Sequence, residues 1–190
     1  TEGGDEAVAL LLRIASTCEE GLRDADRSID AYRRVLEIAP THRGALDALA
    51  RLYESTGRWQ ELVDVTRRQI RLVAERSQKA LLFFRCGSVM ETKFHRDDEA
   101  LRYYEAAVKT SSTCLPAVHG LRDLHLRRED WPRVIQTLEL EARLWSEPRE
   151  RAVVYAHIGQ LYRQRLGDVQ RALHYFEVAL EIDRECLPAC

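Results

Sequence analysis

Six histidines and five cysteines hold most of the chemical potential of this 190-residue chain, and their spacing limits what they can do. A metal site on a helix needs ligands on one face, as His-x-x-x-His or Cys-x-x-Cys spacing supplies. His42, His95, His119, His125, His157 and His174 show neither pattern, and Cys186 and Cys190 share a face without two further ligands. His119 and Asp123 stand four apart, the spacing of a hydrogen-bonded pair on a helix. Such a pair would form the base and its orienter in nucleophilic catalysis, but no serine or cysteine nucleophile is implied beside it. No glycine-rich phosphate loop occurs. The reading is therefore no catalytic residue, no metal and no cofactor.

The elements that carry these residues repeat every 72 positions without a gap. Ser28, Ala100 and Ala172 share that spacing, as do Tyr32, Tyr104 and Phe176, and the pair Trp59 and Trp131. Thr41–Leu46, Thr113–Val118 and Glu185–Cys190 are likewise in register. A fixed period of this kind marks supersecondary units that bury their apolar faces only against neighbours. Each block divides into two helix pairs of about 35 and 37 residues, with apolar residues at three- and four-residue spacing. Gly167-Asp168 separates two such helices: glycine allows the left-handed turn, and Asp168, like Asp24, can cap the helix that follows. Small residues recur where helices must cross (Ala15, Gly87 and Gly159; Ala107 and Ala179), with an aromatic beside each close approach.

Composition narrows the function classes. With 45% hydrophobic and 32% charged residues the chain is a folded helical protein, not a disordered one. A net charge of −2 supplies no basic stripe for nucleic acid. Only Lys79, Lys93 and Lys109 among the 29 basic residues are lysine, an arginine excess read as the codon bias of a GC-rich, bacterial genome. The longest apolar run, Ala7–Leu12, is far below the roughly 20 residues of a membrane helix, so no membrane insertion is expected. Cys18 and Cys86 fall on apolar faces, where a thiol acts as a small hydrophobe. Cys114 and Cys186 are equivalent positions two helix pairs apart, too distant for a disulfide, which points to a reducing, cytoplasmic setting.

Ala31–Pro40 and Leu49–Trp59 resemble the second-helix and the first-helix-and-turn signatures of the tetratricopeptide repeat. The resemblance runs from about Val8 to Asp183 as five repeats, at 8–42, 43–79, 80–114, 115–151 and 152–185. Residues 1–7 read as a linker or N-terminal remnant, and 186–190 as the start of a truncated sixth repeat within a longer array. Leu62 and Val134 stand where the family prefers alanine, and Arg122 where it prefers glycine. The odd repeats carry one extra residue between their helices. The resemblance implies an all-α, right-handed α-solenoid of antiparallel helix pairs that binds another protein or peptide and is not an enzyme.

In that family the first helix of each pair lines the concave face. The matching positions are Ser16, Glu19 and Glu20, then Asp47, Arg51 and Glu54, then Phe84, Ser88 and Glu91. His119, Asp123, Leu126 and Arg127 follow, and then Ala156, Gln160, Arg163 and Gln164. Taken in order, they make a groove acidic at its N-terminal end and basic at its C-terminal end, able to orient a partner of complementary charge. The lysine, arginine and asparagine clamp by which some members grip chaperone tails is absent: Leu12, Ser16, Ala48, Leu81 and Arg85 occupy one candidate register. Two alternatives remain, an inert spacer in a large scaffold and an RNA-binding helical repeat disfavoured by the groove carboxylates; end-to-end self-stacking through uncapped repeats is expected as a further contact.

Overall fold

The computed structural model describes residues 2–22 and 24–184; the side chains of residues 2, 3, 20 and 22 lie outside the description, as does the expected sixth-repeat segment 186–190. Among the described residues the fold is all-α, a right-handed α-solenoid of ten α-helices. The first pair is α1 (Glu2–Ser16) and α2 (Ala25–Ile38), the second α3 (Arg43–Ser55) and α4 (Trp59–Leu72). Then come α5 (Arg76–Thr92) with α6 (Asp97–Thr110), α7 (Leu115–Arg127) with α8 (Trp131–Leu144), and α9 (Pro148–Leu161) with α10 (Val169–Ile182). Each helix packs on its neighbours in sequence, and α5 also touches α7.

Local chemistry sets the helix starts. Asp24, Asp130 and Asp168 accept the backbone N–H of Arg27, Arg133 and Arg171, and His42 accepts that of Ala45 through Nδ1. Pro116, Pro132 and Pro148 sit in first turns, where a missing N–H costs nothing. Helix α1 begins at Glu2, inside the 1–7 stretch. Once Leu11 and Ala15 anchor the helix in the core, each further turn toward the N-terminus is cheap to propagate, and Asp5 and Glu6 suit the positive helix end.

The extra residue of the odd repeats has a distinct geometry. In the even repeats the turn closes with Arg58 N–H on Tyr53 O and Asp130 N–H on His125 O, five residues back. In the odd repeats Asp24, Arg96 and Asp168 donate six residues back, to Cys18, Met90 and Tyr162. The helix widens to hold the insertion: α1 continues as a π-helical turn over Thr17–Leu22, and α9 does so over Tyr162–Leu166. Gly167 ends the latter at φ 69°, with nothing within 4 Å of a built Cβ. Gly167→Ala therefore meets conformational cost alone, and a loss of about 1 kcal/mol in urea unfolding is expected. A gain in stability would contradict that account.

Small residues carry the crossings. Ser28, Ala100, Ala107 and Ala179 are 0% exposed, and the Ser28 hydroxyl donates to Ala15 O at 3.0 Å, tying α2 to α1. The Tyr104 ring lies between two glycines: a Cβ on Gly87 would stand 2.5 Å from it, and one on Gly120 2.6 Å. Phe176 crowds Gly159 in the same way, at 2.6 Å. Leu62 and Val134, the large residues at alanine positions, are fully buried. The dyad thus alternates two ways of filling one crossing.

Candidate interaction surface

The first helices α1, α3, α5, α7 and α9 present the candidate residues, and arginines reaching across from the next repeat decide their charge. Arg51 of α3 donates to Glu19 at 3.0 Å. Arg85 of α5 donates to Glu54 of α3 at 2.8 Å, and Arg127 of α7 to Glu91 of α5 at 2.7 Å. Arg127 also lies 3.5 Å from Asp97. Glu19, Glu54 and Glu91 are therefore offset locally, and the acidic end expected of the groove is reduced. Asp47 is exposed and accepts the Gln69 amide at 2.7 Å. These ladders resemble surface ion pairs worth little singly, but their regularity orders the side chains along the array.

Glu19 and Glu91 are also held from beneath, by the hydroxyls of Tyr32 at 3.4 Å and Tyr104 at 2.7 Å. Burial, and then the Glu91 carboxylate, push the Tyr104 phenol far above its ordinary range, so it stays a donor. In the third block the pair is exchanged as a unit. Phe176 replaces the tyrosine and Arg163 the glutamate, with the guanidinium 5.6 Å from the ring centroid. A phenol hydroxyl asks for an acceptor and a bare ring face for a cation, so the change from glutamate to arginine follows from losing one oxygen.

Other candidates take different partners from those the spacing suggests. His119 does not pair with Asp123: its Nε2 lies 3.1 Å from Glu141 of α8, and Asp123 accepts Arg122 Nε at 3.2 Å. A one-turn spacing permits the pair, yet the buried carboxylate from the next helix is the stronger partner. Glu141 is 4% exposed and takes Arg122 at 2.7 and 3.0 Å. Arg122, the departure from the family glycine, is thus the counter-ion of a buried acid. Ser16 donates back to Arg13 O, and Phe84 stacks on Tyr104 at 5.6 Å. Ser88 accepts Thr92 through its carbonyl. Gln160 is half-buried on α9, while Arg163 is exposed. The side chain of Glu20 lies outside the described residues.

Sequence reasoning missed Gln69 and Glu141, and placed Arg85 only in the register of the absent clamp. The 72-residue spacing of Gln69 and Glu141 was the available signal. Trp59 and Trp131 are covered by the chain's own cations, Lys93 at 4.6 Å and Arg165 at 4.8 Å from the ring centroids. Lys93 and Arg165 are themselves 72 apart. Burial raises the Cys86 thiol to about 12, and Cys18, Cys86 and Cys114 are free and buried. Among the described residues no three His, Cys, Asp or Glu side chains gather to hold a metal ion. No helix there is long and apolar enough to cross a membrane.

Known proteins share this architecture. Lipopolysaccharide assembly protein B of Escherichia coli strain K12 is 22% identical over 159 residues, which cover 82% of this chain and 40% of that protein. The chain thus spans well under half of that relative. The solved structure of MamA protein superposes with a TM-score of 0.57 at 20% identity, covering 95% of this chain and 94% of that one. YrrB, described as a tetratricopeptide protein with an unusual peptide-binding site, gives a TM-score of 0.53 at 17% identity, covering 94% and 88%. The tetratricopeptide repeat profiles match residues 8–42, 45–80 and 152–186, together more than half of the sequence. With paired helices, small-residue crossings and matched repeats in one register, the chain belongs to the tetratricopeptide repeat family, whose members are protein-interaction scaffolds.

Proposed function

We propose that this chain is a non-catalytic interaction module of a longer cytoplasmic scaffold or adaptor, and that its first-helix face binds a peptide or a surface element of a partner protein. The observation that supports this reading most is the ladder of side chains ordered along one face across the first helices of the first four repeats. Tyr32 and Tyr104 hold Glu19 and Glu91, and arginines from the next repeat hold the far side of each carboxylate. A surface already ordered before contact loses less side-chain freedom on binding. Arg163, engaged only by the Phe176 ring among the interactions described, leaves the C-terminal end cationic. With Arg51, Arg85 and Arg127 each paired to a carboxylate, these positions hold no surplus of positive charge for a phosphate backbone.

The test is capture of partners from a bacterial lysate by the unaltered chain and by the Arg51→Glu/Arg127→Glu double variant. Both arginines are largely exposed, at 66% and 49% of the side chain, so each reversal is expected to cost about 1 kcal/mol or less and leave helicity intact. A specific protein retained by the first and lost by the second is the expected result. Equal capture by both would remove the first-helix face from the reading. The local neutralisation of Glu19, Glu54 and Glu91 favours one alternative, an inert spacer, and absence of any specific protein would support it.

A further inference from the structure

His125, near the end of α7, is 4% exposed, and its Nδ1 is buried without a hydrogen-bond partner among the described residues. Tyr53 fills the same place 72 residues earlier, and its hydroxyl accepts Arg33 Nε of α2 at 2.9 Å. Glu105 of α6 stands where Arg33 does, so both members of the pair are exchanged together. The carboxylate does not close on the ring: among the described residues no hydrogen bond joins Glu105 to Nδ1. The turn that follows differs in the same sense. Gly57 takes φ 70° between α3 and α4, and Glu129 is held at φ 54° in the equivalent place between α7 and α8. That left-handed backbone suits glycine and strains a residue with a side chain. The fourth repeat thus lacks a hydrogen bond and stores strain where the second has the bond and a relaxed turn.

We propose that His125 and the Glu129 turn form an acid-sensitive latch: protonation of the buried ring releases the α7–α8 corner while the α3–α4 corner stays closed. A neutral imidazole tolerates an unpartnered Nδ1 as a bare acceptor. An imidazolium donates at both nitrogens and would bury an N–H and a charge with nothing to meet them. Burial pushes the His125 ring below its ordinary range. The charged groups that face it oppose one another in pairs: Asp130 and Arg133 at the start of α8, Glu105 of α6 and Arg128 beside the turn. A group whose folded value is depressed takes its proton more readily once exposed. Its contribution to stability is complete above about pH 6.5 and is lost as the pH falls through the folded value. The strained turn is the part that yields, because opening it also relieves Glu129.

The latch reaches the first-helix face through Arg127, two residues beyond His125. Arg127 donates to Glu91 at 2.7 Å and lies 3.5 Å from Asp97, so opening the corner uncovers both carboxylates. A partner bound there should be released in acid. That consequence, unlike the latch itself, rests on the interaction reading above.

Hydrogen exchange of the full chain at about pH 7.5 and about pH 5.5, corrected for the intrinsic rate, tests the latch without any partner. The α7–α8 corner should open about tenfold more often at the lower pH, the limit for one histidine that stays neutral while folded. The α3–α4 corner of the same molecule should not change. His125→Tyr/Glu105→Arg copies the Tyr53–Arg33 pair and should abolish the difference between the corners. His157 of α9 is likewise pushed down by burial and then by Arg122, so His157→Gln is the control and should keep that difference. Glu129→Gly should make opening rarer at both pH values and leave their ratio unchanged. An equal pH response at the two corners, a ratio kept by His125→Tyr/Glu105→Arg, or a ratio lost in His157→Gln would each overturn the proposal. Should the double variant not fold, the ring titration of His125 followed by NMR decides: a value of about 6.5 or above overturns the latch, and a lower one sustains it. A lysate partner still held in acid by a chain whose corner has opened would overturn the consequence for the first-helix face and leave the latch standing.

Discussion

Ala100→Arg is expected to destabilise the centre of the array by at least about 3 kcal/mol. Ala100 is 0% exposed on α6, which crosses α5 closely enough to set the Tyr104 ring against Gly87. An arginine there needs volume the crossing lacks and buries a charge without a carboxylate to meet it, and both terms are unfavourable. Because each repeat contacts only its neighbours, the damage should centre on α5, α6 and α7 and fade toward the ends. Hydrogen exchange resolved by segment would show this pattern, alongside a lowered urea midpoint. The natural control lies 72 residues earlier: Ser28 fills the equivalent place and bonds Ala15 O. Ala100→Ser should therefore stay within about 1 kcal/mol of the parent, since its hydroxyl can repeat that bond to the carbonyl of Gly87. An unchanged melt for Ala100→Arg would mean that the crossing is not where the 72-residue register places it.

Legibility followed the range of the interaction. Features within one helix or turn were readable: Asp24 and Asp168 cap as their positions suggest, and the small residues at 15, 28, 87, 100, 159 and 172 do mark crossings. The one-residue insertion of the odd repeats was visible as spacing, although only the structure shows its six-residue-back closure. Helix α1 runs on through Gly3 and Gly4, because extension from an anchored core outweighs the cost of two glycines. The candidate surface was less readable. The residues that face outward on each first helix follow from periodicity, but their partners are 30 to 36 residues away on the next repeat. Which arginine reaches which carboxylate depends on the angle between repeats, and no spacing within a helix encodes that angle. The exchange of tyrosine and glutamate for phenylalanine and arginine was present in the sequence as two columns of the repeat. It became interpretable only when the rings were seen to contact those side chains.

Arg122→Ala alone is expected to cost about 3 kcal/mol, because it leaves Glu141 buried with His119 as its only described partner. The loss comes less from the missing ion pair than from a carboxylate stranded out of water. A pair that is costly to break can still be nearly neutral to replace. The array already holds the replacement: in the preceding even repeat Ala50 stands where Arg122 does, Gln69 where Glu141 does, and Asp47 where His119 does. There the amide donates to Asp47 at 2.7 Å and no buried charge needs a guanidinium. Arg122→Ala combined with Glu141→Gln should thus recover to within about 1 kcal/mol of the parent, and adding His119→Asp should restore the amide–carboxylate bond. Urea unfolding of the parent, Arg122→Ala, Glu141→Gln alone and the double variant measures the coupling directly. If Arg122→Ala is as stable as the parent, Glu141 must reach water in solution and is no buried anchor. If the single loss appears but the double variant does not recover, the two even repeats differ in packing and are not interchangeable solutions to one crossing.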